Sequence, residues 1–323
     1  MRIGLTYDLQ TDPADERQAE FDPPATLDAL SGALAALGHD PVRLGSAAEL
    51  LAHPQRLREM DLVFNLAEGR HGRCREAWVP VLLELHGIPY VGSDPLALSL
   101  GLDKVMSKRI AAAEGLATPR WVSVDHPSKL PRPLPFSFPA LVKPRGEGSG
   151  RGIDAGAVVR TPEALAARAA WLAARCEGPL LIEEFLPAGE VTVCLIGNGP
   201  PEALPPIQRP LDPATHLAYH VVRPAPSSVE CPLVLDEALD AEARRIAVRM
   251  FEALGCRDVA RVDLRTDAQG TLQFLEINPL PSFDPEGSLG LIAEHLGTTY
   301  TALIGRILDA ARQRLDAPAA RRP

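Results

Sequence analysis

The segment Arg257–Gly290 reads RDVARVDLRTDAQGTLQFLEINPLPSFDPEGSLG and decides how the whole chain is interpreted. Apolar and polar residues alternate in VARVDLR and again in TLQFLEIN, as they do in strands that bury one face. Between these two runs, TDAQG is a turn in which Gly270 can adopt a positive φ. The segment therefore predicts a β-hairpin.

The polar face of this hairpin collects four side chains that can carry out chemistry. In an antiparallel pair, directly opposite residues share a face, and so do residues two apart on one strand. With a loop of Asp267–Gly270, Arg261 faces Glu276, while Asp263 and Asn278 lie one step away on the same face. Carboxylate and amide oxygens suit a hard cation, and Mg²⁺ usually arrives with nucleotide phosphates. A metal site and a solvated polar face of an edge hairpin both remain open at this point.

The composition narrows the class of protein. The chain has 323 residues, of which 46% are hydrophobic and 23% charged, which is typical of a soluble protein with about two or three domains. A net charge of −9 argues against nucleic acid as the main partner, because phosphate binding requires a basic surface. No apolar run is long enough for a membrane span, and no signal peptide is visible. The five cysteines are far apart and form no C-x-x-C motif, which favours reduced thiols in a cytoplasmic protein.

Lysine is rare in this chain. Of its 33 basic residues, the only lysines are Lys104, Lys108, Lys129 and Lys143. A retained lysine is expected to do something that arginine cannot, such as placing a compact ammonium group on a phosphate. Lys104 and Lys108 are four residues apart in a predicted helix and share a face. They are therefore either functional or part of a solvated basic stripe.

Residues 1–102 are predicted to form a doubly wound parallel α/β domain. The short strands RIGLTYD, PVRLG, DLVFNLA and IPYVG alternate with helical segments, and this alternation places ligands at the carboxyl ends of the strands. The acidic loop 10–24 and the loop AEGRHGRCRE, which contains Glu68 and His71, both follow strands at that edge. The acidic loop is interpreted as a lid, a substrate contact or an ordinary polar surface loop, and the second loop as a functional loop or an ordinary polar surface loop.

A buried strand leads into a glycine-rich loop in FPALVKPRGEGSGRGID. Four glycines between positions 146 and 152 surround Ser149 and offer backbone N–H groups to an anion. The pattern matches neither a P-loop nor a Rossmann fingerprint. Because Lys143 is fixed at the end of the preceding strand, the loop is interpreted as a lid over phosphates.

The next strands suggest how an adenine nucleotide would be held. PLLIEEFLP has backbone groups and paired acids at its exit, as an adenine-binding hinge needs, and the following strand GEVTVCLIGNG begins with Glu190. A long helix then precedes the hairpin, further helices follow it, and residues 313–323 are predicted to be a disordered tail.

Taken in order, these motifs resemble the ATP-grasp superfamily and, within it, the D-alanine–D-alanine ligase family. The resemblance covers roughly residues 1–310 and rests on the sequence of Asp103-Lys104, VKPRGEGSGRGI, IEEFLPAGEVTV, ARVDL and LEINPLPSF. It implies that the N-terminal α/β domain (1–102) is followed by two α+β ATP-grasp subdomains that hold ATP between them. The first (103–187) would carry the glycine-rich lid and the second (188–312) the metal site.

The resemblance also implies roles for individual residues. Lys104 and Lys143 would contact the nucleotide phosphates. Glu190 would hold the ribose hydroxyls, and the adenine and hinge would be lined by Glu183, Glu184, Phe185 and Leu186. Two Mg²⁺ ions, or Mn²⁺ in their place, would be bound by Asp263, Glu276 and Asn278. The residues assigned to catalysis are Ser149, Ser282 and Arg261, the last by stabilising negative charge that develops during acyl transfer.

The implied reaction is the ATP-dependent ligation of a carboxylate to an amine. The carboxylate would attack the γ-phosphate, and the amine would then attack the resulting acyl phosphate, so that ADP and phosphate leave and an amide forms. A closed lid would keep water away from the acyl phosphate. A phosphotransferase of the same fold and a non-catalytic nucleotide-binding regulator are the alternatives. Family precedent implies a homodimer through the N-terminal domain.

The half of the site that would bind amino acids departs from the family pattern. TYDLQTDPADE stands where the family has a serine–glutamate motif, and Pro281-Ser282 stands where it has Pro-Gly. No lysine follows Lys143 to match the family's late catalytic lysine, which leaves His216, His220 or Arg223 as replacements. The candidate substrate contacts are Glu68, His71, Tyr219, Ser288 and Leu289. The substrates are therefore predicted to be amino acids or related small molecules, without an assignment to D-alanine.

Overall fold

The first of three sheets is parallel and lies at the N terminus. The computed structural model describes residues 1–209, 211–212, 214–218 and 236–317. The strands of this sheet stand in the order β2-β1-β3-β4 and all pair in parallel. Their bounds are β1 Arg2–Thr6, β2 Asp40–Gly45, β3 Leu62–Asn65 and β4 Tyr90–Val91. The connecting helices are α1 Pro24–Ala36, α2 Ala47–Ala52 and α3 Trp78–His86. The predicted parallel α/β domain is confirmed.

The second sheet is antiparallel and carries the glycine-rich loop. Its order is β5-β8-β6-β7. The bounds are β5 Trp121–Val124, β6 Ala140–Pro144, β7 Val158–Val159 and β8 Leu180–Glu184. Helix α6, Pro162–Ala173, buries Leu165, Ala169 and Leu172 against one face of this sheet. The loop that joins β6 to β7 contains the four glycines.

The third sheet contains the hairpin. Its order is β10-β9-β12-β13, and β11 also pairs with β9. The bounds are β9 Glu190–Ile196, β10 Glu202–Ala203, β11 Ile207–Arg209, β12 Val259–Thr266 and β13 Leu272–Asn278. The long helix α7, Glu237–Leu254, covers the face of the sheet that points away from the polar side chains of the hairpin. Its N-cap is Asp236, whose side chain accepts a hydrogen bond from the backbone N–H of Leu239.

Two helices, α4 Pro95–Leu102 and α5 Lys104–Ala113, replace the single helical stretch expected from the sequence. Helix α4 ends before Asp103. The carboxylate of Asp103 accepts hydrogen bonds from the backbone N–H groups of Val105 and Met106 and so caps the start of α5. Ala111 of α5 is buried in the core of the third sheet. The predicted division at 102/103 therefore separates α5 from the core in which it packs.

The last two helices return to the N-terminal domain. They are α8 Ser288–His295 and α9 Tyr300–Asp316, and α9 packs beside α1 in a core shared with the first sheet. Because α9 continues to Asp316, the prediction of a disordered tail is wrong for residues 313–316, and residues 318–323 lie outside the described part of the chain. No helix within the described ranges has both the length and the apolar composition that a membrane crossing requires.

Candidate active site

Strands β12 and β13 form the predicted hairpin, but in a different register. Arg261 pairs with Asn278, and Asp263 pairs with Glu276. The predicted pairing of Arg261 with Glu276 is wrong by two residues. All four side chains nevertheless lie on one face of the sheet and line the same cavity, whose volume is about 440 Å³.

Two small irregularities explain this shift. The loop is one residue longer than expected, because Thr266 pairs with Leu272. Leu275 is an extra residue in β13, since the pairing passes from Glu276 directly to Phe274. Each irregularity moves the register by one residue, and a total shift of two returns every side chain to its original face.

Asp263 is the centre of the hydrogen bonds on this face. Its carboxylate accepts Nη2 of Arg261 at 2.8 Å, Oγ1 of Thr192 at 2.9 Å and Nδ2 of Asn278 at 3.2 Å. Burial disfavours the charge on Arg261, but the carboxylates of Asp263 and Glu276 outweigh burial and raise its pKa above the ordinary value. Arg261 is therefore a permanent cation on the wall of the cavity.

Glu183 lies between two lysines. Nζ of Lys143 is 2.6 Å from Oε1, and Nζ of Lys108 is 2.8 Å from Oε2. Burial alone would raise the pKa of Glu183, but the two ammonium groups outweigh it and lower the pKa to about 2. Glu183 is 1% exposed, and both of its carboxylate oxygens form ion pairs with the lysines. The resemblance implied that Glu183 lines the adenine, and this role stays a prediction.

Lys104 joins the hairpin to the glycine-rich loop. Its Nζ lies 3.0 Å from Oε2 of Glu276 and donates to the backbone oxygen of Glu147 at 2.6 Å. Burial would raise the pKa of Glu276, but Lys104, Lys143 and Arg261 together lower it to about 2. Since Lys104 and Lys108 are both buried and paired with acids, the interpretation as a solvated basic stripe is wrong.

One end of the cavity is apolar and has a carboxylate at its border. Leu141, Ile153 and Leu217 line this end, and Phe185 packs against Leu141 and Leu217. Glu190 begins β9 beside it. Burial raises the pKa of Glu190, although Nη1 of Arg265, 3.5 Å away, acts in the opposite direction. A flat apolar group next to hydroxyl groups would fit this end.

The other two hinge residues differ in their placement. Leu186 is buried. The carboxylate of Glu184 forms an ion pair with Arg120 at 3.0 Å on the protein surface, so its side chain does not line the cavity, and its place in the hinge stays a prediction.

The glycine-rich loop is fastened to both loops of the N-terminal domain. The backbone N–H of Gly148 donates to Oε1 of Glu20 at 2.6 Å. Nη2 of Arg75 lies 2.7 Å from Oε2 of Glu20, and its Nη1 donates to the backbone oxygen of Gly146 at 2.8 Å. Ser149 follows at the exposed tip with a positive φ of 47° and lines the cavity. The acidic loop 10–24 is thus a structural neighbour of the lid.

The opposite end of the cavity is acidic. Its carboxylates belong to Glu20, Asp22, Glu68, Glu76 and Asp284. Burial, reinforced by Asp284 and Asp8, raises the pKa of Asp22 to about 7. Burial likewise raises the pKa of Glu76 to about 8. In the lining of the same cavity, Nη2 of Arg209 donates to Oγ of Ser288 at 2.7 Å.

The remaining predicted substrate contacts divide into three groups. Ser282, Ser288 and Leu289 line the cavity together with Glu68. His71 is exposed and lies outside the lining, so its role stays a prediction. Tyr219, together with His220 and Arg223, lies outside the described residues.

Several residues of the cavity were missed by sequence reasoning. Arg265 could have been found, because it follows Arg261 and Asp263 at spacings of two in the same strand and therefore shares their face. Asp22 and Arg209 gave no comparable signal, since each lies outside a recognisable motif. The pairing of Lys108 with Glu183 joins a helix to a strand far away in sequence, and no local pattern indicates it.

Comparisons with known proteins agree with this geometry. A family model described as the D-ala D-ala ligase C-terminus matches residues 111–309. The uncharacterised protein y4sG of Sinorhizobium fredii is 33% identical over 89% of this chain and 87% of its own length. A D-alanine–D-alanine ligase of Synechococcus is also 33% identical, over 86% of this chain and 90% of its own length.

Solved structures have the same fold. The D-alanine–D-alanine ligase of Bacillus anthracis complexed with ATP aligns with a TM-score of 0.78 at 22% identity and covers 97% of this chain and 98% of its own. The VanG D-Ala:D-Ser ligase of Enterococcus faecalis aligns with a TM-score of 0.73 at 18% identity and covers 96% of this chain and 99% of its own. The three sheets and the cavity between them thus define an ATP-grasp ligase. More particularly, the chain belongs to the D-alanine–D-alanine ligase family, and the predicted resemblance is confirmed.

Proposed function

We propose that the protein uses ATP to join two amino acids, or related small molecules, through an amide bond with an acyl phosphate as the intermediate. One observation carries this proposal. Lys104, Lys143 and Arg261 place three cations around a single cavity, together with the carboxylates of Asp263 and Glu276. Membership of a ligase family supports it.

Different cations would act in the two chemical steps, phosphoryl transfer and attack by the amine. Lys104 and Lys143 lie against the glycine-rich loop, where they would hold the nucleotide phosphates and spread the charge of phosphoryl transfer. Arg261 lies on β12, where its side chain donates hydrogen bonds to Asp263. There it would stabilise the oxyanion that forms when the amine attacks the acyl phosphate.

The hairpin fits a pair of Mg²⁺ ions. Asp263, Glu276 and Asn278 supply carboxylate and amide oxygens, the donors that hard cations prefer, and Mg²⁺ characteristically completes its shell with substrate phosphates and water. Among the residues that the structure describes, no group of three or more His, Cys, Asp or Glu side chains could hold a metal. This fits a site that is completed by the nucleotide. Bound Mg²⁺ would neutralise phosphate charge during transfer.

The nucleotide base and sugar belong at the apolar end in this proposal. Leu141, Ile153 and Leu217 would cover the adenine, and Phe185 and Leu186 would provide the hinge beside it. Glu190 would accept hydrogen bonds from the ribose hydroxyls. The lid around Ser149 would then close over the phosphates and exclude water.

A cytoplasmic homodimer is part of the proposal. Trp78, Val81 and Leu85 are exposed although apolar, and they follow one face of α3 in the N-terminal domain. An exposed apolar stripe of this kind is typical of a subunit interface. Leu85→Glu is expected to halve the mass measured by light scattering. A wild-type monomer would contradict the dimer.

Product analysis tests the reaction. The protein is incubated with Mg²⁺, ATP and pairs of D- and L-amino acids, and the products are identified by mass spectrometry. ADP and phosphate are expected in equal amounts with a new amide, and Glu276→Gln is expected to abolish their formation while the exposed Glu252→Gln leaves it unchanged. Release of AMP and pyrophosphate, or a stable phosphorylated product without an amide, would overturn the proposal.

A further inference from the structure

The acidic end of the cavity has more carboxyl groups than the surrounding protein pairs with cations. Of its five carboxylates, only that of Glu20 has an ion pair, with Arg75. The other four, those of Asp22, Glu68, Glu76 and Asp284, form none within the described ranges. At the nucleotide end, by contrast, Glu190, Asp263 and Glu276 each lie within 3.5 Å of a cation.

Asp22 is the clearest member of this group. Its side chain is only 9% exposed, it lines the cavity, and no described residue donates a hydrogen bond to its carboxylate. Its charged neighbours, Asp284 and Asp8, are both acids. A buried carboxylate without a donor is unfavourable, and a ligand that supplies a donor removes the penalty.

The four carboxylates do not form a metal site of the protein alone, since no three acidic, histidine or cysteine side chains of the described chain converge closely enough for one. The carboxylates are therefore spread over a wider area than one coordination shell. Such spacing suits an organic molecule whose positive charges are several atoms apart.

Two cations that could receive the negative end of the same molecule also line the cavity. In the described part of the chain, the guanidinium of Arg209 donates one side-chain hydrogen bond, to the neutral hydroxyl of Ser288, and its charge also acts on Glu190. Arg209 lines the cavity together with Arg261. A carboxylate placed between these two cations would direct the rest of the molecule toward Asp22.

We propose that this half of the cavity binds a basic amino acid, with its carboxylate toward Arg209 and its two positively charged groups received by Asp22, Glu68 and Glu76. An amino acid with a neutral side chain brings one ammonium group and leaves most of the acidic cluster uncompensated. A diamino or guanidino acid brings two cations. This inference rests on the proposed ligase function, because it names the substrate class of the same site.

Matched substrates test the inference directly. Initial rates of ADP release are measured with D- and L-forms of lysine, ornithine and arginine, and with norleucine and norvaline as uncharged analogues of similar length. The kcat/KM for the better basic amino acid is expected to exceed that of its uncharged analogue about tenfold or more, since a charged hydrogen-bonded pair contributes about 1.5–3 kcal/mol. Equal values would overturn the subsite.

Variants locate the effect. Asp22→Asn and Glu68→Gln are each expected to reduce the ratio of lysine to norleucine by about tenfold. Glu16→Gln removes an exposed carboxylate from the same loop as Asp22 and is expected to leave the ratio unchanged. If one of the two cavity variants fails to fold, the lysine to norleucine ratio of the other tests the assignment. A ratio that neither variant changes would overturn the assignment.

Calorimetry separates this inference from the ligase reaction. Because the cluster holds protons near neutral pH, a dication is expected to release protons on binding, which appears as a heat that depends on the ionisation enthalpy of the buffer. Lysine that binds with proton release but yields no ADP would contradict the ligase and keep the subsite. ADP release with neutral amino acids, and no binding preference for lysine, would keep the ligase and overturn the subsite.

Discussion

Nζ of Lys143 lies 2.6 Å from Oε1 of Glu183, and the other oxygen of this carboxylate faces Nζ of Lys108 at 2.8 Å. All three side chains are almost completely buried. Without Glu183, the two ammonium groups would repel one another away from water. The lysine that faces the cavity is therefore positioned by two other elements, β8 and α5, as well as by its own strand.

Glu183→Gln should destabilise the protein strongly. Breaking a buried charge network by removing one partner costs about 3–5 kcal/mol, measured here as the free energy of unfolding in urea. The matched control is Glu184→Gln, which removes the neighbouring carboxylate that pairs with Arg120 on the surface and is expected to cost less than about 1 kcal/mol. Similar losses in both variants would contradict the role of Glu183.

The same substitution should change how stability depends on pH. The pKa of Glu183 is lowered to about 2 from an ordinary value of 4.5. Its contribution is therefore present above pH 4.5 and disappears as the pH falls toward 2. The unfolding free energy of Glu183→Gln is expected to fall less steeply across this range than that of the wild type.

Lys143→Arg should reduce kcat/KM for ATP by at least about tenfold, which corresponds to about 1.4 kcal/mol. Lys143 occupies a confined position between Glu183 and Glu276, and a planar guanidinium cannot replace a compact ammonium group there. Lys129→Arg is the control, because Lys129 forms an exposed ion pair with Asp125. Its steady-state kinetics should match the wild type, and equal rates in both variants would remove Lys143 from the phosphate site.

The hairpin shows how far the sequence alone could be read. Alternation in VARVDLR and TLQFLEIN indicated two strands and the shared face of Arg261 and Asp263, because side-chain direction follows local periodicity. The register depended on the length of the loop and on whether Leu275 is paired, and only packing against the rest of the sheet determines these. The sequence therefore predicted which side chains share a face of the hairpin, but not which residues pair across its two strands.

The acidic end of the cavity could not be anticipated for a different reason. Asp22, Glu76 and Asp284 come from three separate stretches of the chain and meet only when the N-terminal domain packs against the hairpin side of the third sheet. Each one alone resembles an ordinary surface acid. Its function as part of a cluster depends on burial and on distant neighbours, which no local pattern contains.

Arg261→Lys should lower kcat while leaving the KM for ATP almost unchanged. Arg261 is directed by two hydrogen bonds from Nε and Nη2 to Asp263, and a lysine cannot reproduce this fork. Removal of one oxyanion donor costs about 10²–10³ in kcat in known cases. Arg265→Lys provides the contrast, because Arg265 lies beside Glu190 at the nucleotide end and should mainly raise the KM for ATP. If Arg261→Lys mainly raised the KM for ATP and Arg265→Lys mainly lowered kcat, Arg265 would be the oxyanion donor and Arg261 the residue at the nucleotide.

Asp22→Asn should stabilise the protein at alkaline pH. The pKa of Asp22 is raised from 3.8 to about 7 in the folded state, so ionisation of this group weakens folding progressively as the pH rises through 7. The variant should therefore be more stable than the wild type at pH 8, by about 1–3 kcal/mol, and equally stable below pH 4. Thermal unfolding at several pH values measures this difference. The exposed Glu16→Gln should show no such pH dependence, and absence of any gain for Asp22→Asn at pH 8 would show that this carboxylate has a partner.

Gly148→Ala should loosen the glycine-rich loop. A Cβ atom at position 148 would lie 2.5 Å from Oε1 of Glu20, which accepts the hydrogen bond from the backbone N–H of the same residue. Gly146→Ala makes the same chemical change where a Cβ meets open space. Amide hydrogen exchange across 146–152 should accelerate in the first variant only. Its KM for ATP should rise about fivefold, because a hydrogen bond to a charged group contributes about 1.5 kcal/mol or more and part of this is recovered on closure. If both variants behave alike, the contact with Glu20 does not fasten the lid, and any loss of activity comes from reduced flexibility of the backbone.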